Sequence, residues 1–246
     1  MSETSSQQGA ASPPAPSPER WAGRDRLALA LDVDDLVVAL RLARDLQPWF
    51  GVAKVGLELY SAAGPDAVSS LSELGYAVFL DLKLHDIPTT VAKAANVIGA
   101  LGVRYLTLHA QGGVPMLRAG VDGLAEGAAR ADEPSPTALA VTVLTSDRDA
   151  PPHIIAKRVQ AALEAGCGGL VCGAPDIMEV RTLAPRLKVV VPGTRPVGGD
   201  AHDQARTDTP EAAMAAGATM LVIGRAVTAA KDPRAAAAAL AAALDV

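Results

Sequence analysis

The sequence predicts one (β/α)₈ (TIM) barrel, an α/β fold of parallel strands alternating with helices, behind a disordered N-terminal tail. Three observations predict it. Eight short apolar runs alternate with Ala- and Leu-rich segments of helical length. Several runs are apolar throughout, the pattern of parallel strands buried on both faces. The chain has 246 residues, close to the ~250 that such a barrel takes as one domain. A doubly wound open sheet fits less well. It calls for a glycine-rich first turn, whereas this one reads Leu31-Asp32-Val33-Asp34-Asp35.

The elements follow in order. Residues 1–23 are rich in Ser, Gln, Ala and Pro, and are expected to form a disordered tail ahead of a catalytic domain over 24–246. They hold no apolar stretch of the kind a signal peptide needs, so a cytoplasmic protein is expected. Strands are expected at Leu27–Val33, Gly51–Gly56, Ala77–Leu82, Tyr105–Leu108, Ala138–Leu144, Gly169–Cys172, Val189–Val191 and Met220–Gly224. Helices are expected at Asp35–Leu46, Gly64–Leu74, Thr89–Leu101, Val114–Ala129, His153–Ala165, Pro175–Leu183, Pro210–Ala216 and Pro233–Leu244. Gly75, Gly166 and Gly217 stand where helices end, and Pro88, Pro115, Pro175, Pro210 and Pro233 near where they begin. Leu240 and Leu244, four apart, make the Ala-rich C-terminus a packed helix rather than a tail.

Composition removes several function classes. A net charge of −5 disfavours a nucleic-acid binder, which needs a basic surface. No run reaches the ~18 apolar residues of a membrane span. Cys167 and Cys172 lack the second pair or nearby His of a zinc site, and no two of the four histidines are spaced as a metal pair on one helix.

Functional residues of such barrels project from the C-terminal ends of the strands. The polar residues there are Asp32, Lys54, Asp81, Lys83, His109, Thr145, Gly224 and Arg225. In the third strand, alternation puts Asp81 and Lys83 on one face above Phe79, with Leu80 and Leu82 turned toward the helices. Asp86 follows as the chain leaves the strand. Lys54 enters from the neighbouring strand, so lysines and aspartates can alternate in sign and hold Lys83 charged and oriented. A barrel-lining salt bridge with no catalytic role has the same spacing. Ile223-Gly224-Arg225 ends the last strand and offers backbone N–H groups and a guanidinium to an anion. The long stretch Gly193–Thr207 carries Arg195, Gln204 and Arg206, and reads as a lid or as an ordinary surface loop. A lone His such as His109 is read as structural.

Asp81-Leu82-Lys83-Leu84-His85-Asp86-Ile87-Pro88-Thr89-Thr90 resembles the signature of the orotidine 5′-phosphate decarboxylase family. Ala30-Leu31-Asp32, Lys54-Val55-Gly56, Leu144-Thr145-Ser146, Pro192-Gly193-Thr194-Arg195-Pro196, Asp203-Gln204 and Ile223-Gly224-Arg225 are similar to further family motifs, in order. The resemblance implies cofactor-free decarboxylation of orotidine 5′-monophosphate to uridine 5′-monophosphate. Lys83 would be the proton donor and Asp81 would lie near the substrate carboxylate. Asp32 and Lys54 would hold ribose hydroxyls, and Thr145 would mark the pyrimidine-binding segment. Arg195, Gln204, Gly224 and Arg225 would close on the phosphate or base. The family's members are homodimers with shared sites, so Asp86 and Thr90 would serve the neighbouring subunit; Ile87, between them, would bind substrate. Thr89, Thr194 and Gln111 depart from commoner family residues without removing a charged group. Two alternatives stand beside this reading. One is a magnesium-dependent hexulose-phosphate synthase-like aldolase, which shares an Asp-x-Lys-x-x-Asp core; the other is a phosphate-binding barrel without catalysis.

Overall fold

A computed structural model describes residues 20–147, 150–151, 153–194 and 209–245. The expected tail lies, through residue 19, outside them. Eight parallel strands close in sequence order, each paired with the next and β8 with β1. They are β1 Leu27–Ala30, β2 Val52–Gly56, β3 Ala77–Leu84, β4 Tyr105–His109, β5 Thr137–Val141, β6 Gly169–Val171, β7 Lys188–Pro192 and β8 Met220–Ile223. The helices between and after them are α1 Leu36–Leu46, α2 Leu57–Ala63, α3 Pro65–Glu73, α4 Pro88–Gly99, α5 Gly113–Arg130, α6 Ile154–Ala165, α7 Ile177–Leu183, α8 Pro210–Ala215, α9 Arg225–Thr228 and α10 Pro233–Leu244.

Local chemistry sets the boundaries. Asp35, Thr209 and Asp232 accept the backbone N–H three residues on, capping α1, α8 and α10. Pro88, Pro210 and Pro233 open their helices, where the missing N–H costs nothing. Gly166 ends α6 in a left-handed conformation, φ 80° and ψ 22°, as its place after Ala165 predicts. Two short helices go beyond the sequence reading: α2 directly follows Gly56, and α9 follows Gly224.

Two cores result. Ala28, Val52, Phe79, Tyr105, Leu139, Val190 and Met220 fill the inside of the barrel. Phe79 and Tyr105 meet edge to face there, 5.9 Å between ring centres, an arrangement that aromatic quadrupoles favour. A larger layer of Leu, Val, Ile and Ala lies between strands and helices. Trp21 ties the entering chain to the closed body. Its backbone N–H donates to the Pro48 carbonyl at 2.8 Å and its indole N–H to Asp245 at 2.6 Å. No helix among the described residues is long and apolar enough to cross a membrane.

Candidate active site

With the inner core filling the barrel below, the C-terminal end of the strands remains as a cavity of about 710 Å³. Asp32, Lys54, Asp81, Lys83, Thr145, Gly224 and Arg225, all expected at the site, line it together. Strand register explains the grouping. Ala30 pairs with Lys54, Lys54 with Phe79, and Gly56 with Asp81, so neighbouring strands deliver their polar residues to adjacent layers.

The charges form one alternating chain. Asp32 accepts from Lys54 Nζ at 2.8 Å, and Lys54 Nζ lies 4.0 Å from Asp81 Oδ2. Both carboxylate oxygens of Asp81 accept from Lys83 Nζ at 2.9 Å. The Lys54 side chain is only 9% exposed, so its ammonium has exchanged water for these carboxylates. Gly56 makes room for the chain: a Cβ there would stand 3.1 Å from Lys54 Nζ and 3.2 Å from Asp32 Oδ1.

The third strand corrects one expectation. Strict alternation does not run through Lys83. The β3–β4 ladder pairs Leu80 with Leu106 and next Leu84 with Leu108, so four steps of β3 stand against two of β4. Lys83 takes up the excess with φ 51°. Such a left-handed backbone costs a residue with a side chain roughly 1–2 kcal/mol. Asp81 and Lys83 nevertheless face the same cavity, while Leu82 and Leu84 pack on the outer core.

Thr107 is the residue that the sequence reading missed. It is fully buried in β4, donates from Oγ1 to Asp81 Oδ1 at 2.9 Å, and accepts the Lys83 backbone N–H at 2.9 Å. A signal existed. Tyr105, Thr107 and His109 alternate, which turns Thr107 inward beside Asp81.

Other expected residues lie elsewhere. Asp86, Ile87 and Thr90 are exposed and do not line this chain's cavity; Asp86 accepts the Ile87 N–H at 2.6 Å. Arg195 and Gln204 fall outside the described residues, as does Arg206. His109 stacks on His85 with ring centres 5.5 Å apart, and its Nδ1 accepts the Gln111 N–H at 3.2 Å. Burial, then the positive charges of Arg158, His85 and Lys83, holds its pKa below the ordinary imidazole value. Cys172 lies at the cavity wall, but burial pushes its thiol up to about 12, which keeps it protonated and inert as a nucleophile.

A bidentate carboxylate–ammonium pair, flanked by a second lysine and aspartate, can hold a proton against one atom of a bound molecule and repel an anionic substituent beside it. Comparison with known proteins agrees with that chemistry. Residues 25–240 match the family described as Orotidine 5'-phosphate decarboxylase / HUMPS family. Orotidine 5'-phosphate decarboxylase of Moorella thermoacetica is 44% identical over 239 residues, covering 92% of this chain and 95% of that one. The protein of the same name from Thermobifida fusca is 45% identical over 230 residues, 89% of this chain and 95% of its own. The crystal structure of Orotidine 5'-phosphate decarboxylase from Lactobacillus acidophilus superposes with a TM-score of 0.77 at 32% identity, covering 90% of this chain and 100% of that one. By sequence over nearly its whole length, and by a fold that agrees, this chain belongs to the orotidine 5′-phosphate decarboxylase / HUMPS family.

Proposed function

We propose that this chain decarboxylates orotidine 5′-monophosphate to uridine 5′-monophosphate, the last step of de novo pyrimidine nucleotide synthesis, without a cofactor. The observation that carries the reading is the chain of charges Asp32–Lys54–Asp81–Lys83 in one cavity. Loss of CO₂ from C6 leaves a carbanion in the plane of the ring. Its lone pair is orthogonal to the π system, so ring resonance stabilises it little. A fixed ammonium beside C6 stabilises the developing charge directly and then delivers the proton. Lys83 is the group for this task, because Asp81 holds its Nζ through both carboxylate oxygens. Asp32 and Lys54 bind ribose hydroxyls, and Thr145 marks the wall against the pyrimidine. Gly224 and Arg225, with Arg195 and Gln204, grip the phosphate and the base. That grip lies away from C6, and its binding energy can drive closure around the reacting atoms.

The enzyme is further proposed to act in the cytoplasm as a homodimer with shared sites. Asp86, Ile87 and Thr90 are assigned to the partner's cavity. Their exposure outside this chain's own cavity supports this.

The test is loss of orotidylate absorbance in the presence of EDTA. Native protein is expected to turn over the substrate after exhaustive chelation, and Lys83→Ala to lose on the order of 10⁴-fold or more in kcat, as removal of a central proton-transfer group does. Activity abolished by EDTA and restored by Mg²⁺ would overturn the cofactor-free reading. No turnover of orotidylate with or without Mg²⁺ would leave the aldolase and the binding protein, which a Mg²⁺-dependent aldol assay separates.

A further inference from the structure

Thr107 has no solvent exposure, and a hydroxyl removed from water needs partners for its proton and its lone pairs. The two that it finds both belong to the site. One is the Lys83 backbone N–H at 2.9 Å, the other Asp81 Oδ1 at 2.9 Å. The direction of each bond is fixed by chemistry. An amide N–H can only donate, so the Thr107 proton is left for the carboxylate. Asp81 in turn accepts from Lys83 Nζ at 2.9 Å through both oxygens. A closed ring results. It runs from the Lys83 amide through Thr107 Oγ1 and Asp81 back to the ammonium of the same lysine.

The ring sits where the strand ladder fails. Between Leu80 and Leu84 the β3–β4 pairing skips, and Lys83 stands at φ 51°. A left-handed conformation in a residue with a side chain persists only where its surroundings over-determine it. Thr107 Oγ1 takes the place of a ladder carbonyl for that amide, and it anchors the carboxylate that holds the side chain's far end. A lysine stem is long and flexible. Here one hydroxyl fixes both of its ends.

We infer that Thr107 is a positioning residue of this site: through one buried hydroxyl it sets the backbone conformation of Lys83 and the orientation of Asp81, and so the place of the ammonium. It touches no reacting atom itself. The inference rests on the decarboxylase reading for its assay.

The experiment compares Thr107→Val, which keeps the shape and deletes the hydroxyl, with Thr107→Ser, which keeps the hydroxyl. Both are assayed for orotidylate turnover per folded protein, beside native enzyme. Thr107→Val is expected to lower kcat by about 10- to 100-fold with KM within about threefold, the signature of a misplaced group in an otherwise intact site. Thr107→Ser is expected to stay within about fivefold of native kcat. Native kcat in Thr107→Val, a loss confined to KM, or a Ser variant as poor as Val would overturn the inference. Should Val not fold, Thr107→Cys asks the same question with a weakly hydrogen-bonding thiol, and native kcat there overturns it equally. Inactivity of the native protein would count against the decarboxylase reading alone. Hydrogen exchange then still tests the ring: the Lys83 amide should exchange faster in Thr107→Val than in Thr107→Ser, and equal rates would refute it.

Discussion

His109 lies beside the lysine that the proposed chemistry uses, and its own charge state is set by its surroundings. Its Nδ1 accepts the Gln111 N–H, so the neutral ring carries its proton on Nε2. Burial, Arg158, His85 and Lys83 all disfavour a second proton, and the folded pKa falls below the ordinary 6.5. The sign of the consequence follows from linkage. Below that ordinary value the unfolded chain takes up this proton while the folded chain does not. Stability is fully retained at higher pH, falls as pH drops from about 6.5, and levels off below the lowered folded pKa. His109→Asn keeps an acceptor for the Gln111 N–H and cannot titrate. Its melting temperature should therefore fall less than that of the native protein between about pH 7.5 and 5.5. Parallel melting curves across that range would contradict the assignment. The same few residues show what could be read from sequence. Asp32, Lys54, Asp81 and Lys83 were legible because charged side chains at strand ends in an apolar barrel have few places to go. The left-handed Lys83 was not, because nothing in Asp-Leu-Lys-Leu departs from strand alternation. The slip depends on β4 offering Thr107 where a ladder carbonyl would stand.

At the scale of elements, α4 and α5 pack backbone against backbone. A Cβ on Gly123 would collide with the Ala92 carbonyl oxygen, one on Gly99 with that of Leu124, and one on Gly127 with that of Asn96. These glycines cost helix propensity, which only close approach recovers. The spacing Gly120, Gly123, Gly127 was visible in the sequence, but helix periodicity alone does not say which neighbour comes close. Gly127→Ala should destabilise the protein by about 1–3 kcal/mol or more, the cost of overpacking a contact with no side chain to move. Glu126→Ala, exposed one residue earlier, should stay within about 0.5 kcal/mol. Urea unfolding measures both, and an unchanged midpoint for Gly127→Ala would mean that the helices part at no cost. The strands were legible because their apolar runs match burial on two faces. Helix α2 was not. Leu57-Glu58-Leu59-Tyr60 follows β2 without a loop, and its N-cap Gly56 makes no side-chain capping bond. The β5–α6 connection keeps Thr145 at the cavity, and Arg158 of α6 donates to the Thr142 carbonyl at the end of β5.

At the scale of the whole molecule, the cavity of one chain holds two lysines and two aspartates, while a third carboxylate, Asp86, stands exposed outside it. It follows β3 five residues past Asp81 and is held by the Ile87 N–H rather than by a lysine of its own chain. Spacing does not say whose site it completes; only the family resemblance points to the neighbour's. The proposed shared site assigns Asp86 to a neighbouring copy, and its exposure outside this chain's cavity is what that assignment needs. Mixing two inactive variants decides the matter. Take Lys83→Ala and Asp86→Ala, each expected to be inactive as a homodimer. If Asp86 acts in the partner's site, the mixed dimer has one site lacking both groups and one site with both intact. Equal amounts under free subunit exchange give half mixed dimers, each with one good site of two, so activity should return to about a quarter of native. If Asp86 acts in its own site, every site in the mixture carries one defect and activity stays at the level of the parents. Native mass spectrometry establishes that mixed dimers have formed before turnover is measured. Recovery near a quarter supports the shared site. No recovery in a sample shown to contain mixed dimers would return Asp86 to its own chain, and the proposed chemistry at Lys83 would be unaffected by that result.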